Sequence, residues 1–269
     1  MIKIIVTGAS GRMGQRLVAA VAAGGDTQLV GATERAGHAA ISKDAGLLAG
    51  AGELKVMIQD DLAGLLKSTK AEVVIDFTAP AATLKHAEAC AKAKCAMVIG
   101  TTGLSAEERA RIKEITKPIP VLLAPNMSVG VNLMFHLSRI AAQLLGDGFD
   151  IEVIEAHHRL KKDAPSGTAV RLGEVLAEAR GWKYPADARF HREGLIGERK
   201  DREIGMQTIR AGDIVGEHTV LFAGTGERLE IIHRATSRDT FARGAVRAAR
   251  WVVQQKPGLY SMQDLLGLT

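Results

Sequence analysis

Ile2-Lys3-Ile4-Ile5-Val6-Thr7-Gly8-Ala9-Ser10-Gly11-Arg12-Met13-Gly14 opens the chain and decides its fold. Residues 2–6 form an apolar run without alternation, the pattern of a parallel strand buried on both faces. A glycine-rich turn follows, then a helix whose apolar set is Leu17, Val18 and Val21, stopping near Gly24 and Gly25. Residues 28–32 read as the next strand, closing at Thr33-Glu34-Arg35. Strand, helix and strand in this span make a βαβ unit.

The Gly-x-x-Gly-x-x-Gly spacing is a variant of the dinucleotide-binding fingerprint. Gly8 makes the turn, Gly11 admits a pyrophosphate, and Gly14 lets helix and strand approach closely. Gly8, Ala9, Ser10, Gly11, Arg12 and Met13 are therefore the expected phosphate loop. Arg12 reads equally well as a phosphate contact or as a solvated side chain. Glu34 stands where a carboxylate accepts from an adenosine ribose, which favours NADH. Arg35 beside it suits the 2′-phosphate of NADPH or the adenine face, so use of either cofactor is expected.

Further along, residues 36–54 lack a period and read as a loop with a short helix, and 55–58, 72–76, 96–99 and 120–124 read as strands. Helices are expected over 81–93 and 105–115, the first opened by Pro80 and the second by the capping box Ser105-x-x-Glu108. A long apolar helix over 129–145 links this half to a sequence of different character. There, 204–211, 217–223 and 228–235 read as strands of an antiparallel or mixed meander, and a helix over 241–254 returns to the first half. The expected fold class is α/β. A Rossmann-type dinucleotide-binding domain, residues 1–127 completed by 239–269, carries an inserted α/β substrate-binding and oligomerisation domain, 128–238, on an open mixed sheet.

Composition excludes several classes. The 269 residues carry a formal charge of +5, with Lys and Arg dispersed rather than gathered into a stripe, which argues against nucleic acid. An anionic cofactor with an anionic substrate accounts for the surplus as well as an ordinary solvated surface does. No apolar run is long enough to span a membrane, and the start has no signal-peptide pattern, so a cytoplasmic protein is expected. Cys90 and Cys95 fit neither a redox pair nor a metal site and read as buried free thiols.

The richest stretch is Glu155-Ala156-His157-His158-Arg159-Leu160-Lys161-Lys162-Asp163-Ala164-Pro165-Ser166-Gly167-Thr168. Ile151, Val153 and Ile154 make a strand ahead of it, and residues 169–180 make a helix after it. Ser166, Gly167 and Thr168 thus open a helix, where unpaired N–H groups and hydroxyls suit a carboxylate. Adjacent strand residues face opposite ways, so His157 and His158 can share a site only if the strand has ended. Asp163 is expected to orient the loop by pairing with a nearby cation. Neighbouring histidines seldom chelate one ion, and no third ligand stands at a useful spacing, so no metal is expected.

The string E-A-H-H-R-x-K-x-D-A-P-S-G-T-A resembles the signature of the 4-hydroxy-tetrahydrodipicolinate reductase (dihydrodipicolinate reductase) family. Gly100-Thr101-Thr102-Gly103, the run from Ala124-Pro125-Asn126-Met127 onward, Gly216-Glu217-His218-Thr219, Gly226-Glu227-Arg228-Leu229-Glu230 and Phe241-Ala242-x-Gly244-Ala245 resemble it too, so the likeness covers nearly the whole chain. The resemblance implies His157 as acid/base, Lys161 as proton donor and His158 as a substrate contact. Gly100, Thr101, Thr102, Ala124, Pro125, Asn126 and Met127 would line the nicotinamide pocket. It further implies NAD(P)H-dependent reduction of a cyclic imine dicarboxylate on the diaminopimelate route to lysine, by a homotetramer. Two rivals are a dehydrogenase of the aspartate-semialdehyde type, which needs a thiol nucleophile, and a non-catalytic dinucleotide sensor, which needs neither His157 nor Lys161.

Overall fold

A computed structural model describes residues 1–268. Its elements run β1 (Ile2–Thr7), α1 (Arg12–Ala22), β2 (Thr27–Thr33), α2 (Ala45–Ala49), β3 (Ile58–Gln59), α3 (Leu62–Thr69), β4 (Val73–Asp76), α4 (Pro80–Ala93), β5 (Ala96–Ile99), α5 (Ala106–Ile115) and β6 (Pro120–Leu123). Then come α6 (Val129–Leu145), β7 (Asp150–His157), α7 (Gly167–Arg180), β8 (Ala188–Arg189), β9 (Ile204–Arg210), β10 (Gly216–Gly224) and β11 (Glu227–Ala235). The chain closes with α8 (Asp239–Val252), β12 (Gly258–Tyr260) and α9 (Met262–Leu266). It divides into two compact units, Met1–Val129 with the segment from Arg238 onward, and Gly130–Ser237.

The first unit is a doubly wound sheet in the order β12-β6-β5-β4-β1-β2-β3, every neighbouring pair parallel. The unbroken apolar runs of its strands serve two cores at once. Ile4, Val6, Val73, Ile75, Val98 and Leu122 face α1 and α8, while Ile5, Val74, Met97, Ile99 and Val121 face α3, α4 and α5. Successive strand side chains point to opposite faces, so a strand covered on both sides must be apolar throughout. Burying one such side chain contributes roughly 1.5–3 kcal/mol, and Ile4, Ile5 and Val6 are all fully buried.

Helix α3 has a clear local cause that the sequence reading passed over. Asp61 caps it by accepting from the Gly64 amide, and Leu62, Leu65 and Leu66 form its buried face. The strand expected over 55–58 shrinks to β3, with Met57 held only by a single bridge to Asp44.

The second unit is a five-stranded mixed sheet, β11-β10-β7-β9-β8. β10 pairs antiparallel with β11 and β7, whereas β9 runs parallel to β7 and β8. The expected meander is therefore only half present: β10 and β11 form a hairpin, but β7 lies between β9 and β10. Ile151 and Val153 on β7, Ile204 and Met206 on β9, and Val220 and Phe222 on β10 pack against Leu172, Val175 and Leu176 of α7 and Met134 and Phe135 of α6. The opposite face shows Ile209 and Ile232 exposed at 47% and 44%. The irregular segment before β9 is pinned by ions: Arg192 bonds both Glu152 and Glu203 at 2.6 Å, and Arg199 reaches Asp150 at 2.8 Å.

Candidate functional site

In the first unit the fingerprint glycines meet the geometry they are suited to. Gly8 holds φ +62°, the left-handed turn that L side chains rarely adopt. A β-carbon on Gly14 would run into Gly8 O and Ala9 Cα, so only glycine lets α1 start this close to β1. No side chain caps α1, whose N-cap is Gly11, leaving its first N–H groups directed at the turn. Arg12 is solvent-exposed there.

Glu34 has a task that the motif does not reveal. Its Oε1 accepts from the Ser10 hydroxyl at 2.6 Å and the Ser10 amide at 3.1 Å, and its Oε2 accepts from the Arg35 amide at 3.1 Å. Burial raises the Glu34 pKa, but the Ser10 and Arg35 donors outweigh that and hold it below the usual value. The carboxylate thus ties the glycine loop to the end of β2. Arg35 itself is exposed.

A cleft of about 440 Å³ opens beyond the carboxyl ends of these strands. Gly11, Arg12, Met13 and Gly14 line it together with Gly100, Thr101, Thr102, Pro125, Asn126 and Met127. Five separate sequence segments meet there, at the place where open α/β sheets bind ligands. Gly8, Ala9, Ser10, Glu34, Arg35 and Ala124 stand outside that lining, while Phe77, Thr78 and Phe241, to which the sequence assigned no site role, belong to it. Beneath the cleft lies Asp76, fully buried. It accepts from Thr7 at 2.5 Å, Thr78 at 2.7 Å, Thr83 at 2.5 Å and Thr101 at 3.3 Å, and meets His86 Nδ1 at 3.2 Å. Burial raises the Asp76 pKa, but His86 and the threonine hydroxyls more than reverse it. The residues fit a dinucleotide: a side-chain-free helix start for phosphates, a cradle that a β-carbon at Gly14 would close, and a half-apolar cleft beside it.

In the second unit β7 delivers Glu155 and His157 to the helix-covered face and ends at His157. His158 is therefore the first loop residue, and the alternation that separates adjacent strand residues no longer applies to it. Glu155, fully buried, is the hub. Its Oε2 meets His157 Nδ1 at 2.6 Å, and both its oxygens accept from Arg210 at 2.8 Å. Its Oε1 also accepts from the Ser166 amide at 3.0 Å and from Thr208 at 3.4 Å. Burial pushes the Glu155 pKa up, but His157, Arg210 and the Ser166 amide overcome this and bring it to about 2.

The loop closes over this hub. Lys161 Nζ bonds Asp163 at 2.7 Å and 2.8 Å, which lowers the Asp163 pKa, and the Lys161 amide donates to His158 O. Arg210 also donates to the Asp163 carbonyl at 2.6 Å. Ser166 caps α7 by accepting from the Ala169 amide, and its hydroxyl meets His218 Nε2 at 3.0 Å. Burial, then the neighbouring His157, drives the His218 pKa down to about 3. Gly167 and Thr168 form the first turn of α7, Gly167 exposed and Thr168 half-buried. His157, His158, Lys161, Ser166, Gly167 and Thr168 are thus gathered around one loop and one helix start. Glu155, Arg210 and His218 are the members that sequence reading left without a role.

Cys90 and Cys95 are both buried and free, and the adjacent Cys95 thiol together with burial pushes Cys90 well above the ordinary thiol range. Neither is a competent nucleophile. Among the described residues no group of three or more His, Cys, Asp or Glu side chains is arranged to hold a metal ion, and no helix is long and apolar enough to cross a membrane.

Comparison with known proteins agrees along the whole length. The families described as dihydrodipicolinate reductase, N-terminus, and dihydrodipicolinate reductase, C-terminus, match residues 2–127 and 130–266. Proteins named 4-hydroxy-tetrahydrodipicolinate reductase from Geobacter metallireducens and Geotalea daltonii are 59% and 57% identical, each over 100% of both chains. A dipicolinate-bound dihydrodipicolinate reductase from Paenisporosarcina sp. TG-14 superposes with a TM-score of 0.77 at 26% identity, covering 97% of each chain. An amine dehydrogenase from Mycobacterium smegmatis, at 14% identity and a TM-score of 0.61 over 96% of this chain and 94% of its own, shares the fold. The chain belongs to the dihydrodipicolinate reductase family.

Proposed function

We propose that the chain reduces (4S)-4-hydroxy-2,3,4,5-tetrahydrodipicolinate to 2,3,4,5-tetrahydrodipicolinate with loss of water, on the diaminopimelate route to L-lysine, using NADH or NADPH. The observation that carries this reading is the convergence of His157, Lys161 and the Ser166-Gly167-Thr168 helix start on one loop. It is supported by a family match that spans both units.

The reaction adds a hydride and a proton and releases water. Bound NAD(P)H supplies the hydride; Gly8, Ala9, Ser10, Gly11, Arg12, Met13, Glu34 and Arg35 would hold its phosphates and adenosine, and Gly100, Thr101, Thr102, Ala124, Pro125, Asn126 and Met127 its nicotinamide. The protein must supply the proton and neutralise two carboxylates. Lys161, an ammonium on the loop, is the proton donor, and His157 exchanges protons beside it. The α7 start takes one carboxylate through the Gly167 and Thr168 N–H groups and the Thr168 hydroxyl, with His158 contacting the substrate next to it. Ser166, expected to be a contact, instead holds that start from beneath, its amide on Glu155 and its hydroxyl on the Ala169 amide and His218. The exposed Ile209 and Ile232 on the uncovered sheet face support self-association, for which a homotetramer is the proposed state. The proposed compartment is the cytoplasm.

The test is to supply the condensation product of pyruvate and aspartate semialdehyde with NADH, and separately with NADPH. Loss of the reduced-nicotinamide absorbance should require both protein and condensation product. A protein that binds NADH but never oxidises it with this substrate would refute the reading.

A further inference from the structure

The contact between Glu155 and His157 is 2.6 Å, shorter than an ordinary N–H···O bond. A carboxylate with a pKa near 2 carries no proton at neutral pH, so it can only accept. The hydrogen in this contact therefore sits on His157 Nδ1. Every other partner of Glu155 is a donor as well: Arg210, the Ser166 amide and the Thr208 hydroxyl. The carboxylate is saturated, fully buried and unable to turn away. Which imidazole nitrogen exchanges protons is set by the bond that the other nitrogen makes.

His157 Nε2 is the remaining nitrogen. It faces Gly216, where a β-carbon would lie 3.0 Å away, and the ring is packed edge-on to His218 at 5.2 Å between centroids. We infer that Glu155 is a positioning residue for the reduction: it holds His157 in the Nδ1–H form, so that Nε2 alone exchanges the proton. The same carboxylate, through the Ser166 amide, fixes the start of α7 against the ring, so proton exchange and carboxylate binding share one anchor. This rests on the acid/base role proposed for His157.

The experiment uses the full-length protein and its isosteric variant Glu155→Gln. In the wild type, long-range ¹⁵N–¹H spectra of the imidazoles should show His157 with its hydrogen on Nδ1. In Glu155→Gln that signature should weaken, and kcat should fall about 10²- to 10⁴-fold, the range for losing acid–base catalysis when a histidine no longer has the carboxylate that sets its tautomer. NADH affinity should stay unchanged. The decisive arm is a double-mutant cycle. If Glu155 acts through His157, Glu155→Gln should cost little further turnover in a His157→Gln background, whereas a merely structural role would add its full cost there.

A wild-type His157 protonated on Nε2 would overturn the inference without requiring any variant to fold. So would additive losses in the cycle. If His157→Gln turned over like the wild type, the acid/base reading itself would fall and the kinetic arm with it, while the spectrum would still report the tautomer.

Discussion

Gly216 stands directly against His157, and a β-carbon at that position would lie 3.0 Å from the ring Nε2. Real β-carbons rarely come so close, so the ring would have to give way. The ring is tied to Glu155 on its other side and has little freedom to do so. Gly216→Ala should therefore move the ring by a few tenths of an ångström and lower kcat by on the order of 10-fold, short of the roughly 100-fold that a 1 Å misplacement can cost. Cofactor affinity should not change, because Gly216 belongs to the second unit. Steady-state kinetics with separate titration of NADH checks this; wild-type kcat would show that Nε2 is not the working atom.

Lys161 carries the proton-donor assignment and is held by Asp163 at 2.7 Å. Lys161→Ala should lower kcat by about 10²- to 10⁴-fold, the range for one missing general acid. NADH affinity, measured by fluorescence titration, should remain. Lys162, exposed and next to it, is the control: its replacement by Ala should leave kcat within about 2-fold.

Arg35 and Glu34 should divide the choice of cofactor between them. Arg35 is exposed and available to a 2′-phosphate, so Arg35→Ala should weaken NADPH more than NADH, by about 10- to 150-fold at low salt. That loss should shrink as salt rises. Glu34→Gln should move the affinity ratio toward NADPH by lifting a repulsion. It should also weaken both cofactors, because Glu34 anchors the Ser10 hydroxyl and amide. Equal weakening of both cofactors by Arg35→Ala would reduce Arg35 to an adenine platform.

The buried histidines make the fold acid-sensitive. His218 has its pKa lowered from 6.5 to about 3, so it stays neutral in the folded chain while the unfolded chain takes up a proton below pH 6.5. The unfolded state then binds more protons, and stability falls as pH drops from 6.5 toward 3. Glu155, lowered from 4.5 to about 2, adds a loss of the same sign from pH 4.5 downward. His233, lowered by burial, also acts in this direction. Urea midpoints for wild type and His218→Gln between neutral pH and pH 5 should show a shallower decline in the variant. Parallel declines would mean that His218 is not the buried neutral group.

What the sequence disclosed depended on the range over which each signal acts. The turn at Gly8, the close approach at Gly14 and the cap at Ser166 are local, and neighbouring residues suffice to infer them. The free, buried state of Cys90 and Cys95 followed from spacing alone. The Glu155–Arg210 pair joins residues 55 positions apart and exists only because β9 lies parallel to β7 in a particular register. Turn chemistry and apolar period carry no trace of that register, and the expected meander, built from the three later strands, gave β7 no place beside β9. His218 lay inside a stretch singled out for its resemblance, yet nothing local tells that its partner is Ser166, 52 residues earlier. Asp76 read as the end of a strand because its donors come from β1, the β4–α4 turn, α4 and the loop after β5.

That sealed carboxylate has a consequence for anyone redesigning the molecule. Asp76 is fully buried and draws on the hydroxyls of Thr7, Thr78, Thr83 and Thr101. Exchanging one threonine for valine removes one of the hydrogen bonds that hold a buried charge, at a cost of about 1.5–3 kcal/mol. Removing the acid strands several donors instead. Variation at these positions is therefore expected to move as a block, and a library that samples them singly will return mostly unstable clones. The exposed rim at Arg35 carries no such debt, so altered coenzyme preference is best sought there.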